Sequence, residues 1–207
     1  MKRVIAIDGP AGSGKGTLAR KLASHFGFMY LDTGKLYRAV AYLNKSINET
    51  LNLAAREIFD VITNIPDSDL RTAEIGQRAS EIAKNTEIRS KMTKIQRDFA
   101  ELQNGHGFVL DGRDIGTVVF PDAMCKLFIT ADLKIRAERR LQDLRKNGEK
   151  ITYDEVLNQL ANRDYQDTHR EIAPLRCDET YTLIDTTSKT EEESFQECVT
   201  EISKKML

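Results

Sequence analysis

The sequence predicts a three-layer α/β fold: a five-stranded parallel sheet with helices on both faces. Three observations carry this. Short apolar runs at residues 4–7, 28–31, 108–110, 126–130 and 181–184 alternate with stretches of helical apolar spacing. Such alternation implies parallel strands joined by helical crossovers. The residues just past each run are glycine, acidic or hydroxyl-bearing: Gly9 to Thr17, Asp32-Thr33-Gly34, Asp111-Gly112-Arg113-Asp114, Ala131-Asp132 and Asp185-Thr186-Thr187. Ligands of open parallel sheets bind outside the carboxyl ends of the strands, which is where these residues fall. Finally, the first run leads straight into a glycine-rich loop and a helical pattern.

That first element is the most informative. Val4-Ile5-Ala6-Ile7 reads as a buried strand closed by Asp8. Gly9-Pro10-Ala11-Gly12-Ser13-Gly14-Lys15-Gly16-Thr17 follows, then Leu18, Ala19, Leu22, Ala23 and Phe26 on one helical face. Strand, Gly-x-x-x-x-Gly-Lys and helix together describe a phosphate-binding P-loop. Its glycines turn successive N–H groups towards a polyphosphate, the helix terminus adds partial positive charge, and Lys15 adds a full one. The usual P-loop carries Ser or Thr after the lysine as a magnesium ligand. Here that position is Gly16, which has no side chain to offer. Magnesium is therefore expected to be held mainly by phosphate oxygens and water, and no residue is assigned as a metal ligand.

The second run ends in Asp32-Thr33-Gly34-Lys35-Leu36-Tyr37-Arg38, where a helix opens. Thr33 can hydrogen-bond a ligand or cap that helix. Arg38, one turn in, can hold a phosphate bidentately. Residues 45–104 show no convincing strand and read as helices with a turn near Asn64-Ile65-Pro66-Asp67-Ser68. Asp111 closes the third run, where it can orient a magnesium water shell or cap the following turn. Residues 132–173 read as helical and arginine-rich, broken near Asn147-Gly148. There Arg136, Arg139, Arg140 and Arg145 form either a solvated face or part of a closing lid, and Arg140 could contact a nucleotide. Glu191-Glu192-Glu193 and Lys204-Lys205 suit the two ends of a last helix.

Composition narrows the function. The chain has 207 residues, 40% of them hydrophobic, consistent with one core domain carrying small appended elements. Its 31 basic and 32 acidic residues leave a net charge of −1, with no electrostatic case for nucleic-acid or membrane binding. Cys125, Cys177 and Cys198 lack paired spacing and read as reduced thiols of a cytoplasmic protein. His25, His106 and His169 make no metal pattern. No stretch approaches the ~20 apolar residues of a membrane span, and no oligomerisation stripe is evident, so a monomer is expected.

The segment Asp111-Gly112-Arg113-Asp114-Ile115-Gly116-Thr117-Val118-Val119-Phe120-Pro121 makes a resemblance specific. It is similar to the signature of the bacterial cytidylate kinases, a family of nucleoside monophosphate kinases. The loop at Gly9 to Thr17, the segment Asp32-Thr33-Gly34 with Tyr37-Arg38, and Arg163-Asp164, Asp167, Arg170 with Ala173-Pro174-Leu175 fit the same family in the same order. The resemblance implies transfer of the γ-phosphoryl group of ATP to CMP or dCMP in pyrimidine nucleotide metabolism. It implies Lys15, Arg113, Arg163 and Arg170 as catalytic residues, and Thr33, Arg38 and Arg113 around the acceptor phosphate. Ser80, Arg89 and Asp114 would read cytosine, and Asp167 would reach the acceptor sugar. Residues 45–104 would form the acceptor segment and 132–173 the lid of a single P-loop kinase domain. The family commonly carries a small β-rich insert, which residues 45–70 are too short and too helical to hold in full.

Cytosine chemistry agrees with these roles. A carboxylate such as Asp114 accepts from the 4-amino group, and Arg89 and Ser80 can donate to N3 and O2. Uracil would leave Asp114 facing a carbonyl, a mismatch of roughly 1–3 kcal/mol. Phosphoryl transfer needs alignment and charge neutralisation more than covalent help, so no catalytic His or Cys is expected.

Overall fold

The computed structural model describes residues 3–102, 105–146 and 148–206. Asn147, on which one expected helix break falls, lies outside them, as do residues 103 and 104 at the end of the expected acceptor segment. The chain divides into two compact units, one of Met1–Leu31 with Gln103–Leu207, the other of Asp32–Leu102.

The first unit holds the sheet. All five expected strands form: β1 (Arg3–Asp8), β2 (Met29–Asp32), β3 (Gly107–Gly112), β4 (Cys125–Thr130) and β5 (Thr182–Asp185). Their order is β2-β3-β1-β4-β5. The registers Asp8↔Gly112, Asp8↔Phe128 and Thr130↔Asp185 bring the carboxyl ends of four parallel strands to one edge. The loops starting at Gly9, Arg113, Ala131 and Thr186 therefore emerge side by side.

Helix α1 (Lys15–Phe26) buries Leu18, Ala19, Leu22 and Ala23, four of the five residues on its expected apolar face. They pack with Ile5, Ile7, Val109, Leu127, Ile129 and Ile184, and with Cys198 and Ile202 of the last helix. Leu18 and Leu22 are nearly inaccessible, and burying each contributes about 1.5–3 kcal/mol. Phe26 is only partly buried against this core. That last helix opens with the three glutamates and closes with the two lysines, as the dipole favours.

The first unit also holds two further helices. They comprise Leu133–Lys146 and Tyr153–His169, which enclose a separate small core of Ala137, Leu144, Val156 and Leu160. Ala11 of the glycine-rich loop belongs to that core, so the loop is wedged between the sheet and the arginine-rich helices. Residues Ile115–Val119 form a short π-turn that no periodicity announced.

The second unit is helical: α2 (Thr33–Leu43), α3 (Ile47–Asn52), α4 (Ala55–Asn64), α5 (Asp67–Leu70), α6 (Ala73–Ile82) and α7 (Thr86–Leu102). Leu133–Lys146, Tyr153–His169 and Glu191–Met206 are then α8, α9 and α10. The described residues from 45 to 70 form helices and no strand. The expected turn near Pro66 narrows to Ile65-Pro66, because Asp67 already begins α5. Of the two roles open to Thr33, ligand contact or helix cap, the second falls away. Asp32 caps α2, its Oδ1 accepting from the Lys35 N–H at 3.1 Å, which leaves Thr33 as the first helical residue. A carboxylate in extended backbone one residue earlier is the stronger cap.

Candidate active site

The loop Gly9 to Thr17 joins β1 to α1. Gly14 is the residue before the helix, at φ 84°, a conformation that costs a side chain dearly. A Cβ at Gly9 would run into the Ile129 carbonyl oxygen of β4. Glycine at 9 therefore lets the loop leave the sheet edge. Lys15 is buried, its Nζ donating to the Pro10 carbonyl at 3.2 Å. Ser13 is buried, and its Oγ has no partner among the described residues. Beside Gly16 lies Asp111, whose Oδ2 would be 3.4 Å from a Cβ placed there. Asp111 lies in β3, and its Oδ1 accepts from the Tyr30 hydroxyl at 2.9 Å.

Two arginines of α8 support the loop. Arg136 donates to the Ala11 carbonyl at 3.1 Å and the Ala131 carbonyl at 2.8 Å, and pairs with Asp164 at 2.6 Å. Arg139 donates to both oxygens of Thr186, and the Thr186 hydroxyl also reaches the Ser13 carbonyl at 3.3 Å. The arginine-rich face is thus in part a frame for the loop. Periodicity marks such a face but not its partners. Half-buried Arg140 lies on the same helix.

The structure gathers Arg113, Asp114, Arg163, Asp167 and Arg170. Arg113 Nε donates to Asp167 Oδ2 at 2.7 Å, Arg163 Nε lies 4.0 Å from that oxygen, and Arg170 Nη1 is 3.7 Å from Oδ1. Arg170 Nη2 is also 3.8 Å from Asp114 Oδ1. Burial would raise the Asp167 pKa, but Arg113, Arg163 and Arg170 outweigh it and hold the carboxyl below the usual range. Arg163 is pushed down to about 10, by burial first and then by neighbouring Arg113. Three guanidinium groups converge on this one carboxylate, an arrangement that also suits a multiply charged anion.

Arg170 is held by the chain beyond α9. Its Nε donates to the Ala173 carbonyl at 2.7 Å, and the Leu175 N–H donates to the Asp167 carbonyl at 2.7 Å. Ala173 adopts φ 51°, a left-handed conformation that is strained for alanine. The Ala-Pro-Leu block thus has a physical role in folding 170–175 back onto α9.

The second unit carries the remaining candidates. Arg38 is buried and donates to the Leu70 carbonyl at 3.0 Å, with Gly76 of α6 packed on its guanidinium. Arg89 of α7 is buried, donates to the Ala83 carbonyl at 3.1 Å and lies over the Tyr37 ring at 5.9 Å. Arg89 is thus brought to the helix that carries Thr33 and Arg38. Thr33 is buried, and Ser80 is half-buried on α6, which packs on α2. Arg71, to which the sequence assigns no role, pairs with the capping Asp32 at 2.7 Å and with Asp67 at 3.1 Å. The spacing Asp67-x-x-x-Arg71 on a helix was the available signal.

A central parallel sheet, a glycine-rich loop at its carboxyl edge and a cluster of arginines define a P-loop phosphotransferase. The comparisons agree: a structure from Thermus thermophilus, TT1252, has TM-score 0.58 at 16% identity, covering 100% of this chain and 98% of that one, a likeness of fold. The family model for cytidylate kinase matches residues 5–204. A cytidylate kinase of Methylocella silvestris is 44% identical over 199 residues, 93% of this chain and 90% of that protein. One of Xanthobacter autotrophicus is 47% identical over 189 residues, 89% of each. The chain belongs to the cytidylate kinase family.

Proposed function

We propose that this chain transfers the γ-phosphoryl group of ATP to CMP or dCMP, giving CDP or dCDP. The observation that carries the residue assignment is the convergence of Arg113, Arg163 and Arg170 on Asp167, in the unit that also holds Lys15 and the glycine-rich loop.

The loop from Gly9 to Thr17 wraps the donor phosphates with its N–H groups, and Lys15 turns from the Pro10 carbonyl to the phosphate oxygens. Arg113, Arg163 and Arg170 neutralise charge on the moving phosphoryl group and its flanking oxygens. Thr33, Arg38 and Arg113 engage the acceptor phosphate. Asp114, with Ser80 and Arg89, reads the cytosine, and Asp167 engages the sugar. The acceptor phosphate is already anionic near neutral pH, so no side chain need remove a proton. Residues 45–104 serve as the acceptor segment and 132–173 as the lid.

Among the described residues no group of three His, Cys, Asp or Glu side chains could cage a metal. Magnesium entering with ATP would be held by phosphate oxygens and water, and Asp111, beside Gly16, would orient that water. When bound, the ion offsets phosphate charge. We place the enzyme in the cytoplasm as a monomer that binds no nucleic acid. Its cysteines are free thiols, and among the described residues no helix is long and apolar enough to cross a membrane.

A coupled assay of ADP release from Mg-ATP, with CMP, dCMP, UMP, AMP and GMP offered separately, tests the reading. Turnover confined to CMP and dCMP supports it. Comparable turnover with UMP or AMP removes the cytosine specificity.

A further inference from the structure

Asp8, the last residue of β1, is completely buried one residue before the glycine-rich loop. Its Oδ1 accepts from the Ile115 N–H at 2.9 Å, and its Oδ2 accepts from the Gly116 N–H at 2.9 Å. The hydroxyl of Tyr181, the residue before β5, donates to the same Oδ2 at 2.6 Å. All three partners are donors, so the arrangement suits a carboxylate that only accepts. Burial raises the pKa of Asp8, and burial with Asp8 beside it raises that of Tyr181.

Ile115 and Gly116 begin the π-turn that follows Asp114. The first N–H groups of such a turn have no partner within it and are ordinarily satisfied by the side chain just before. Here that side chain would be Asp114, yet its carboxylate makes no capping bond. Asp8 supplies the cap from the neighbouring strand β1 instead. The Asp114 carboxylate is thereby directed to the arginine cluster, 3.8 Å from Arg170. The Asp114 carbonyl closes the turn by accepting from Val118 and Val119 at 2.9 and 3.1 Å. Gly116 packs so tightly that a Cβ would lie 2.6 Å from the Tyr181 oxygen.

We infer that Asp8 and Tyr181 are positioning residues for base selection: together they cap the π-turn in place of Asp114 and so hold the Asp114 carboxylate in its base-reading orientation. The inference rests on the reading of Asp114 as a base reader. Neither residue touches the nucleotide; both act through Asp114.

The test is a double-mutant cycle on the ratio of kcat/KM for CMP to that for UMP. Tyr181→Phe keeps the ring, which packs edge-on against Phe128 at 6.0 Å, and removes the hydroxyl alone. It should lower the CMP/UMP ratio about 3- to 10-fold, the range expected for one buried hydrogen bond, chiefly by raising KM for CMP. In an Asp114→Ala background the same substitution should leave the ratio unchanged. An unchanged ratio in the parent background, or an equal fall in both backgrounds, overturns the inference. Asp8→Asn, with one carbonyl for two N–H groups, should lower the ratio further; if it does not fold, Tyr181→Phe decides alone. If Asp114→Ala itself leaves the ratio unaltered, the base-reading assignment fails first, and the inference falls with it.

Discussion

Arg113 Nε and Asp167 Oδ2 lie 2.7 Å apart, joining the end of β3 to helix α9 across 54 residues of sequence. Both side chains are largely buried, at 16% and 11% exposure. Asp167 also lies near Arg163 and Arg170, so losing Arg113 removes its shortest ion pair without stranding it, and the loss falls below the roughly 3–5 kcal/mol of an isolated buried pair. Arg113→Met should therefore cost about 1–3 kcal/mol, the worth of a charge-assisted hydrogen bond, measured by urea unfolding, and should slow turnover more than 100-fold.

The same pair gives a pH dependence. Asp167 is held below its ordinary value of 3.8, so the unfolded chain binds its proton more readily than the folded one. The stabilisation is fully present above 3.8 and is lost as pH falls through the lowered value. Asp8, raised by burial, contributes with the opposite sign. Comparing the parent with Asp167→Asn in melts from about pH 3 to 7 isolates the first effect. The parent should lose stability on acidification and the variant should lose less. Parallel curves would remove the role assigned to the pair.

Lys15 is the one cation inside the glycine-rich loop. Lys15→Ala should collapse turnover by 100-fold or more while the thermal melt changes little. Turnover like that of the parent would remove the loop from the mechanism.

Asp114→Ala should relax base choice more than it slows use of UMP. The CMP/UMP ratio of kcat/KM should fall roughly 10- to 100-fold, the worth of one mismatched polar contact. Ratios from initial rates with each acceptor check it.

Arg136 ties α8 to the Ala11 carbonyl and to Asp164. Arg136→Met should cost about 3–5 kcal/mol in urea unfolding and raise KM for ATP. Arg136→Lys keeps the charge but not the fork, so it should recover only part of each loss.

The sheet was legible because each strand is a short apolar run bounded by glycine or acidic residues, as at Phe108-Val109-Leu110 before Asp111. Helix α1 was legible from its periodicity, and the arginines of the site from four blocks in family order. Less visible was whatever depends on contacts distant in sequence. Asp8 reads as a strand end, and nothing local shows that it caps a turn 107 residues later. The π-turn at Ile115–Val119 has no period to betray it. The sequence leaves Arg136 and Arg139 as either a solvated face or part of a lid, and only the fold shows Arg136 on the Ala11 carbonyl and Arg139 on Thr186. Thr33 looks like a cap because threonine often is one, but Asp32 beside it competes better.

The measurement closest to the central claim is product identification by phosphorus NMR in a mixture of Mg-ATP and CMP with the purified protein. CDP and ADP should appear in equal amounts, with no ADP formed when CMP is omitted. ADP released without CMP, or no CDP at all, would contradict the assignment.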